Sequence, residues 1–191
     1  MISAILLAAG KSMRMDGENK LTKEVQGIPL IKHSVKNILS SSIDELIVVL
    51  GYQKEIIEKL IDKHKKIKFV FNEDFESGMA SSIKAGLNNL SDNSEAFFIC
   101  LGDMPMVNKK IYNHLISYRK KKDIIVPTYN NIQVNPVLFS KSMRPSIMTI
   151  NGDIGAKKIL ELNIGKMLKV KIDDVNITRD FNTKNDFNSS S

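Results

Sequence analysis

Five short apolar runs, separated by stretches with helical periodicity, constrain the fold of this chain more than any other feature of its sequence. The runs are Ile2–Leu7, Glu45–Leu50, Lys68–Phe71, Ala96–Leu101 and Asp123–Val126. Such runs are typical of strands that are buried on both faces of a parallel sheet. Neighbouring parallel strands are joined by right-handed helical crossovers. The pattern therefore predicts an α/β fold with three layers, α/β/α, around a mostly parallel open sheet.

The stretches between these runs have the spacing of amphipathic helices. They are Leu30–Leu39, Glu55–His64, Met79–Leu90 and Lys109–Tyr118. In the third stretch, Ile83 and Leu87 lie four residues apart and Leu90 follows three residues later, so all three fall on one helix face. These stretches supply the helices that the crossovers need.

The alternation loosens after residue 127, where three further elements are expected. They are a strand at Asn135–Phe139, a helix at Asn151–Leu162 and a final strand at Met167–Ile172. Asn151 or Asp153 would cap the helix, because short polar side chains accept hydrogen bonds from the free amides at a helix start. Because the 191 residues contain no internal repeat and no low-complexity linker, we expect a single domain.

The formal charge of +7 raises the question of a polyanionic partner. The two basic clusters, Lys63–Lys68 and Arg119–Lys122, follow predicted helices, and cations at helix C-termini are favoured by the helix dipole. Neither cluster is interleaved with aromatic residues that could stack on bases, and the chain has no tryptophan. The sequence therefore favours a small polyanionic ligand over nucleic acid.

The single cysteine and the first residues bear on the location of the protein. Cys100 has no second cysteine to pair with, which fits a reducing compartment, and its place in an apolar run indicates packing rather than chemistry. The apolar run at the start is too short for a signal peptide or a membrane span. We therefore expect a cytoplasmic protein without a membrane partner.

The segment LLAAGKSMRMDGENKL, residues 6–21, follows the first predicted strand, and ligands of open α/β sheets bind beyond the carboxyl ends of strands. Its small residues, which let backbone amides approach a ligand, are Ala8, Ala9 and Gly10. Ser12 offers a hydroxyl, and Arg14 and Lys20 offer positive charge. Such a loop suits a triphosphate, with a surface turn as the alternative. The P-loop and GxGxxG motifs are both missing.

A second strand end reads CLGDMP and places Asp103 directly after the apolar run Phe97–Leu101. A single carboxylate beside a polyphosphate is a suitable ligand for Mg²⁺, which fills the rest of its shell with waters and phosphate oxygens. The alternative is an aspartate that caps the following helix, a role that Asn108 could take instead. We favour the metal-binding interpretation.

A third segment, NEDFESGMASSIKAGL at residues 72–87, leaves a predicted strand and enters a helix near Gly78. Ser81 and Ser82 fall in the first turn of that helix, where free backbone amides and hydroxyls are expected to point outward. Such groups could recognise the edge of a nucleobase by hydrogen bonds. Plain capping of the helix is the alternative.

Six segments in this order resemble those of the MobA-like nucleotidyltransferases, nearest to the molybdenum cofactor cytidylyltransferase (MocA-type) group. The segments are LLAAGKSMRMDGENKL, NEDFESGMASSIKAGL, CLGDMPMV, IIVPTY with NPVLF, NGDIGAKKIL and RDFNTKNDF. The resemblance covers nearly the whole chain. It implies the Rossmann-like nucleotide-diphospho-sugar transferase fold, with a nucleotide-binding half at residues 1–127 and an acceptor-binding half at residues 128–191.

The resemblance also implies an activity, namely transfer of CMP from CTP to the phosphate of molybdopterin cofactor with release of pyrophosphate and with Mg²⁺ as cofactor. The strings LAAG and GMASS favour CTP, because guanylyltransferase relatives usually have LAGG and GPLAG there. One alternative is a cytidylyl- or guanylyltransferase that acts on a sugar or alcohol phosphate. The other is a nucleotide- or cofactor-binding chaperone of a molybdoenzyme, and a molybdoenzyme is also an expected partner of the enzyme.

The resemblance assigns roles to residues by their positions in these segments. The catalytic residues it implies are Arg14, Lys20 and Asp103. Those implied for the nucleotide are Leu7, Ala8, Ala9, Gly10, Ser12, Gly78, Met79, Ser81 and Ser82. Those implied for the acceptor are Asn135, Pro136, Gly152 and Asp153, and the implied metal ligands are Asp103 and Asp180.

Two residues depart from the pattern of the family. Val134 stands where a glycine often precedes the NPV string, and a β-branched residue does not readily adopt a positive φ and narrows the approach to the acceptor. Asp16 adds a negative charge to the loop that is expected to bind the triphosphate. Both departures affect the acceptor and the nucleotide affinity more than the type of reaction.

Overall fold

The computed structural model describes residues 1–12, 18–153, 157–181 and 186–187. In chain order its strands are β1 (Ile2–Ala8), β2 (Glu24–Val25), β3 (Ile28–Pro29), β4 (Glu45–Leu50), β5 (Ile67–Phe71), β6 (Ala96–Leu101), β7 (Ile124–Tyr129), β8 (Ile132–Gln133), β9 (Val137–Ser140) and β10 (Met167–Lys171). Its α-helices are α1 (Leu30–Leu39), α2 (Lys54–Leu60), α3 (Met79–Asn88), α4 (Lys109–Ser117), α5 (Arg144–Ile147) and α6 (Lys157–Leu162). Among these described helices, none has the length and apolar character needed to span a membrane.

The central sheet has the strand order β10-β7-β9-β6-β1-β4-β5, and β8 pairs with β7 at its side. β1 lies parallel to β4 and to β6, β5 lies parallel to β4, and β10 lies parallel to β7. β9 is antiparallel to its two neighbours, β6 and β7. The sheet is therefore mostly parallel, and the carboxyl ends of β1, β4 and β6 lie side by side at one end of the strands.

Helices cover both faces of this sheet. In β1, Ile5 packs into one apolar cluster while Ala4 and Leu6 pack into the other, because alternate residues of a strand point to opposite faces. Residues of α1, α2 and α4 belong to the cluster of Ala4 and Leu6, and residues of α3, α5 and α6 belong to the cluster of Ile5. The predicted α/β/α fold is confirmed.

The prediction that all five apolar runs are buried on both faces is wrong for the third run. The corresponding strand, β5, is the edge of the sheet next to β4, so one side of it has no neighbouring strand. Lys68 and Phe71 are exposed there, and Lys54 Nζ lies 3.7 Å from the centre of the Phe71 ring. Sequence alone gave no sign of the edge, because an edge strand can be as apolar as a central one.

The boundaries of the elements after residue 127 differ from the prediction. The strand predicted from Asn135 begins at Val137, since Pro136 has no amide hydrogen to donate to a ladder, and it is antiparallel. The described part of the last helix begins at Lys157, and residues 154–156 of the predicted helix lie outside the described ranges. Asn151, a proposed cap of that helix, instead accepts a hydrogen bond from Lys84 Nζ at 2.9 Å.

Cys100 on β6 is expected to be unreactive in the folded protein. It is 1% exposed, and burial raises the pKa of its thiol to about 12, opposed in part by a hydrogen bond with Tyr112. A thiol with so high a pKa holds almost no thiolate at about pH 8, and the thiolate is the reactive form. A chromogenic disulfide reagent should therefore not react with the native protein and should react fully after unfolding in guanidinium. Rapid reaction of the native protein would contradict this burial.

Candidate active site

A cleft of about 710 Å³ opens at the carboxyl ends of β1 and β6. The predicted site residues that line it are Leu7, Ala8, Ala9, Gly10, Ser12, Lys20, Gly78, Met79, Ser82, Asp103 and Asp153. Residues that line it and were not predicted are Lys11, Leu21, Phe75, Glu76, Ser77, Leu101 and Gly102. The three segments selected from the sequence thus meet around one cavity, as the carboxyl-end rule for open sheets requires.

Several predicted site residues do not line this cleft. They are Ser81, Asn135, Pro136, Gly152 and Asp180. Arg14 lies outside the described residues, as does Asp16, so the structure does not place either of them. The roles that the resemblance implies for all these residues stay predictions.

The first loop is held by its own polar side chains. Ser12 has a positive φ of 53°, and its Oγ accepts a hydrogen bond from the Lys20 amide at 3.1 Å. Asn19 caps the short 3-10 turn Lys20–Thr22, because its Oδ1 accepts from the Leu21 amide at 3.1 Å. The position of Lys20 is therefore fixed from both sides of its backbone.

Gly51, which directly follows β4, supports the same loop and was not predicted. The Tyr52 amide donates to the Ala9 carbonyl at 3.1 Å, so the end of β4 touches the first loop. A Cβ at Gly51 would lie 2.7 Å from the Cβ atoms of Ala9 and Phe75, which is closer than carbon atoms approach. The available signal in the sequence was a glycine at the end of an apolar run.

Lys20 and Asp103 form an ion pair on one wall of the cleft. Lys20 Nζ lies 2.5 Å from Asp103 Oδ2, and the two side chains are 18% and 14% exposed. The other carboxylate oxygen, Asp103 Oδ1, is buried and has no hydrogen-bond partner among the described residues. A buried carboxylate oxygen without a partner is costly, and a bound cation would satisfy it.

Asp103 therefore fits the role of a magnesium ligand. Within the described part of the chain, no group of three His, Cys, Asp or Glu side chains could hold a metal, and Mg²⁺ needs only one or two carboxylates when phosphates supply other oxygens. The second expected ligand, Asp180, is exposed and precedes Phe181, whose amide donates to the Asp103 carbonyl at 3.1 Å. Its backbone is thus tied to that of Asp103.

The start of α3 differs from the expectation of free amides and hydroxyls. The Ala80 amide donates to the Gly152 carbonyl at 3.1 Å, and the Met79 amide donates to Asp153 Oδ1 at 3.3 Å. The Ser81 hydroxyl lies within hydrogen-bond distance of the Asp74 and Gly78 carbonyls. The loop at residues 151–153 therefore occupies the two amides, and carbonyls that precede the helix occupy the Ser81 hydroxyl.

Gly78 leaves room for residues 151–153 to approach the start of α3. It has a φ of 109°, and a Cβ there would lie 2.6 Å from the Asp153 amide nitrogen and from the Gly152 carbonyl oxygen. Gly152 itself has a φ of 71°. Sequence reasoning placed Gly78 in the nucleotide site and Gly152 and Asp153 in the acceptor site, and the structure joins the two segments through backbone contacts.

Gly78→Ala is expected to lower the free energy of unfolding by about 2–3 kcal/mol, because the added Cβ collides with backbone and takes an unfavourable positive φ. Denaturant unfolding would measure the loss. Gly165→Ala is the matched control, since a Cβ at Gly165 meets no atom within 4 Å. Equal stabilities of the two variants would show that the close contact between Gly78 and residues 152–153 does not exist.

The departure at Val134 causes no backbone strain. Val134 is not among the described residues with a positive φ, its amide donates to the Pro127 carbonyl at 3.0 Å, and its side chain packs partly buried against the core. The expected backbone conflict of a β-branched residue at this position is therefore wrong, because the chain here is not in the left-handed region. The expectation that Val134 narrows the approach to the acceptor stays a prediction.

Comparison with known proteins shows the class to which the chain belongs, a family of nucleotidyltransferases. The model of the MobA-like NTP transferase domain matches residues 4–170, so the chain belongs to the MobA-like NTP transferase family.

Three curated relatives show the range of the family. The molybdenum cofactor cytidylyltransferase of Escherichia coli strain K12 is 28% identical, and the match covers 97% of this chain and 93% of that protein. The probable molybdenum cofactor guanylyltransferase of Methanosarcina mazei is 32% identical over 76% of this chain and 66% of that protein. The bifunctional protein GlmU of Acetivibrio thermocellus is 25% identical over 92% of this chain, which spans only 36% of that protein.

Solved structures share the fold. Rv0371c from Mycobacterium tuberculosis H37Rv superposes with a TM-score of 0.89 at 22% identity, over 98% of this chain and 95% of that one. A nucleotidyl transferase from Methanothermobacter superposes with a TM-score of 0.83 at 19% identity, over 99% and 95% of the two chains. The expected nucleotide-diphospho-sugar transferase fold is therefore confirmed.

Proposed function

We propose that this chain transfers CMP from CTP to the phosphate of molybdopterin cofactor and releases pyrophosphate, with Mg²⁺ as its cofactor. The observation that carries the proposal is the Lys20–Asp103 pair at the end of a cleft lined by Ala8, Ala9 and Gly10. The pair combines a partly buried cation with a buried carboxylate oxygen that has no partner among the described residues. The match to the E. coli cytidylyltransferase over 97% of the chain supports the choice of nucleotide and acceptor.

The reaction is an in-line displacement at phosphorus. An oxygen of the acceptor phosphate forms a bond to the α-phosphorus of CTP, and the bond from that phosphorus to the bridging oxygen of pyrophosphate breaks. A phosphate monoester is largely a dianion at neutral pH, so the attacking oxygen needs no general base. The task of the protein is to position the two phosphates and to stabilise the developing charge.

The described residues divide that task between them. The loop after β1 would place its amides against the triphosphate, and Lys20 would stabilise the charge that grows on the departing pyrophosphate. Asp103 would hold Mg²⁺ through its unsatisfied oxygen, with Asp180 as a second ligand. When bound, Mg²⁺ would supply positive charge that neutralises phosphate oxygens. Arg14 keeps its predicted role as a further cation beside the phosphates.

A panel of substrates tests the proposal. The full chain would be given Mg²⁺ with CTP or GTP, and with molybdopterin cofactor or a sugar phosphate as acceptor, and pyrophosphate would be measured. Release that requires both CTP and molybdopterin cofactor is the expected result. Release with a sugar phosphate alone would overturn the proposed acceptor. Nucleotide binding without any release would favour a chaperone that serves a molybdoenzyme.

A sugar or alcohol phosphate is the second candidate acceptor, because few of the residues assigned to the acceptor line the cleft. Of the residues assigned to the acceptor, Asp153 lines the cleft, and Asn135, Pro136 and Gly152 do not. The cleft geometry therefore constrains the nucleotide more strongly than the acceptor.

A further inference from the structure

Asn72, which the sequence did not single out, is the centre of the hydrogen bonds beneath the start of α3. It follows β5 directly and is 5% exposed. Its Oδ1 accepts from the Asp74 amide at 3.1 Å, and its Nδ2 donates to Ser81 Oγ at 2.8 Å and to Ser82 Oγ at 3.0 Å. The bond from the Asp74 amide requires an acceptor, so the NH₂ group of Asn72 must face the two serines.

This orientation determines where the two hydroxyl protons can go. Each serine oxygen accepts a hydrogen from Asn72, so each must donate its own proton to something else. Ser81 has the Asp74 carbonyl at 2.9 Å and the Gly78 carbonyl at 2.8 Å as acceptors. For Ser82, no described residue accepts the proton, and this residue is 4% exposed and is among those that line the cleft. The Ser82 hydroxyl is therefore a donor that is available to a ligand in the cleft.

We infer that Asn72 is a positioning residue that makes Ser82 a hydrogen-bond donor toward the nucleobase. The inference rests on the proposed function, since it supposes a nucleotide in this cleft. Cytosine presents two adjacent acceptors, N3 and O2, on its pairing edge. Guanine presents donors, N1–H and N2–H₂, at the equivalent places. A fixed donor at Ser82 thus favours CTP over GTP, and Asn72 sets that preference without touching the base.

Asn72→Asp tests the positioning residue itself, because an ionised aspartate has the same shape, cannot donate a hydrogen bond and adds one negative charge. It keeps an oxygen for the Asp74 amide, and its second oxygen accepts protons from the serines instead of supplying them. Ser82 then presents lone pairs to the cleft. We expect CTP to bind about tenfold more weakly and the ratio of CTP to GTP affinity to fall, because a hydrogen bond that is lost or opposed changes binding by about that factor.

Ser82→Ala provides a second variant that does not depend on the folding of Asn72→Asp. It removes the donor, and CTP should bind about three- to tenfold more weakly, as expected for one hydrogen bond. Tripolyphosphate, which carries no base, should bind the wild type and Ser82→Ala equally. The added negative charge of Asn72→Asp weakens the binding of any polyanion, so the readout for that variant is the ratio of CTP to GTP affinity. Calorimetric titration with CTP, GTP and tripolyphosphate measures all of these quantities.

Ser41→Ala is the matched control for loss of a buried hydroxyl. Ser41 Oγ donates to the Ile38 carbonyl at 2.6 Å at the end of α1, away from the cleft, so its loss should reduce stability and leave the affinity ratio unchanged. An unchanged ratio of CTP to GTP affinity in both cleft variants would overturn the role of Asn72 while the proposed function stands. A wild-type protein that binds neither nucleotide would overturn both.

Discussion

Asp103→Asn is expected to lower the rate of pyrophosphate release by about 10²–10³-fold at saturating CTP, the usual loss when one preorganised charge-stabilising group is removed. Asparagine keeps the shape of the side chain and loses its charge. The variant therefore has no carboxylate for Mg²⁺, and Lys20 loses an ion-pair partner that lies 2.5 Å away. The loss should persist at high Mg²⁺, because a neutral amide is a poor ligand for that ion.

Asp44→Asn is the control for this change. Asp44 Oδ2 accepts from the Ile2 amide at 2.8 Å, at the amino ends of β1 and β4 and away from the cleft. This variant therefore also loses a carboxylate that has a structural contact. It should keep its turnover. Turnover near that of the wild type in Asp103→Asn at saturating Mg²⁺ would be incompatible with a metal role for Asp103.

Lys20→Ala is expected to lower the same rate by about 10²–10³-fold, because the cation that stabilises the leaving pyrophosphate is removed. Lys20→Arg should keep only part of the wild-type rate, since the guanidinium group does not place its charge where the ammonium lies. Lys20 and Asp103 act as a unit, so the double variant should lose less activity than the product of the two single losses.

Lys66→Ala serves as the control for removal of a half-buried cation. Lys66 Nζ donates to the Ile43 carbonyl at 2.7 Å, near the amino end of β4 and far from the cleft. Its turnover should match that of the wild type. If Lys20→Ala and Lys66→Ala were equally active, Lys20 would have no part in the chemistry.

The parallel part of the fold was predictable because its signals are local. The runs that became β1, β4 and β6 are continuously apolar, and the burial of both faces in a parallel sheet accounts for that composition. The position of β9 was not predictable. It lies antiparallel between β6 and β7, and such an order depends on contacts between distant segments rather than on the composition of the strand.

The cleft was predictable to the extent that strand ends define it. Lys20 and Asp103 follow β1 and β6, parallel neighbours in the sheet, so the carboxyl-end rule brings their segments together. Asn72 and Gly51 gave weaker signals, because their roles come from hydrogen bonds and contacts to other segments. The contact of Gly78 with Gly152 joins residues that are far apart in sequence, which no local pattern encodes.

Ser81 and Ser82 show most clearly which part of the site could not be predicted from the sequence. They are adjacent in the sequence and equal in chemistry, and a helix turns by about 100° between consecutive residues, so only one of them can face a given neighbour. The structure directs Ser82 to the cleft and Ser81 to the carbonyls of Asp74 and Gly78. Which serine faces the cleft depends on the rotation of α3 about its axis on the sheet, and no pattern in the sequence predicts that rotation.

The most direct measurement follows the fate of each phosphorus atom of CTP. The full chain would be incubated with Mg²⁺, molybdopterin cofactor and CTP that is labelled at either the α- or the γ-phosphorus. The account predicts that the α-label appears in a product joined to the cofactor and that the γ-label appears in pyrophosphate. The γ-label on the cofactor, or the α-label only in free CMP, would contradict nucleotidyl transfer to this acceptor.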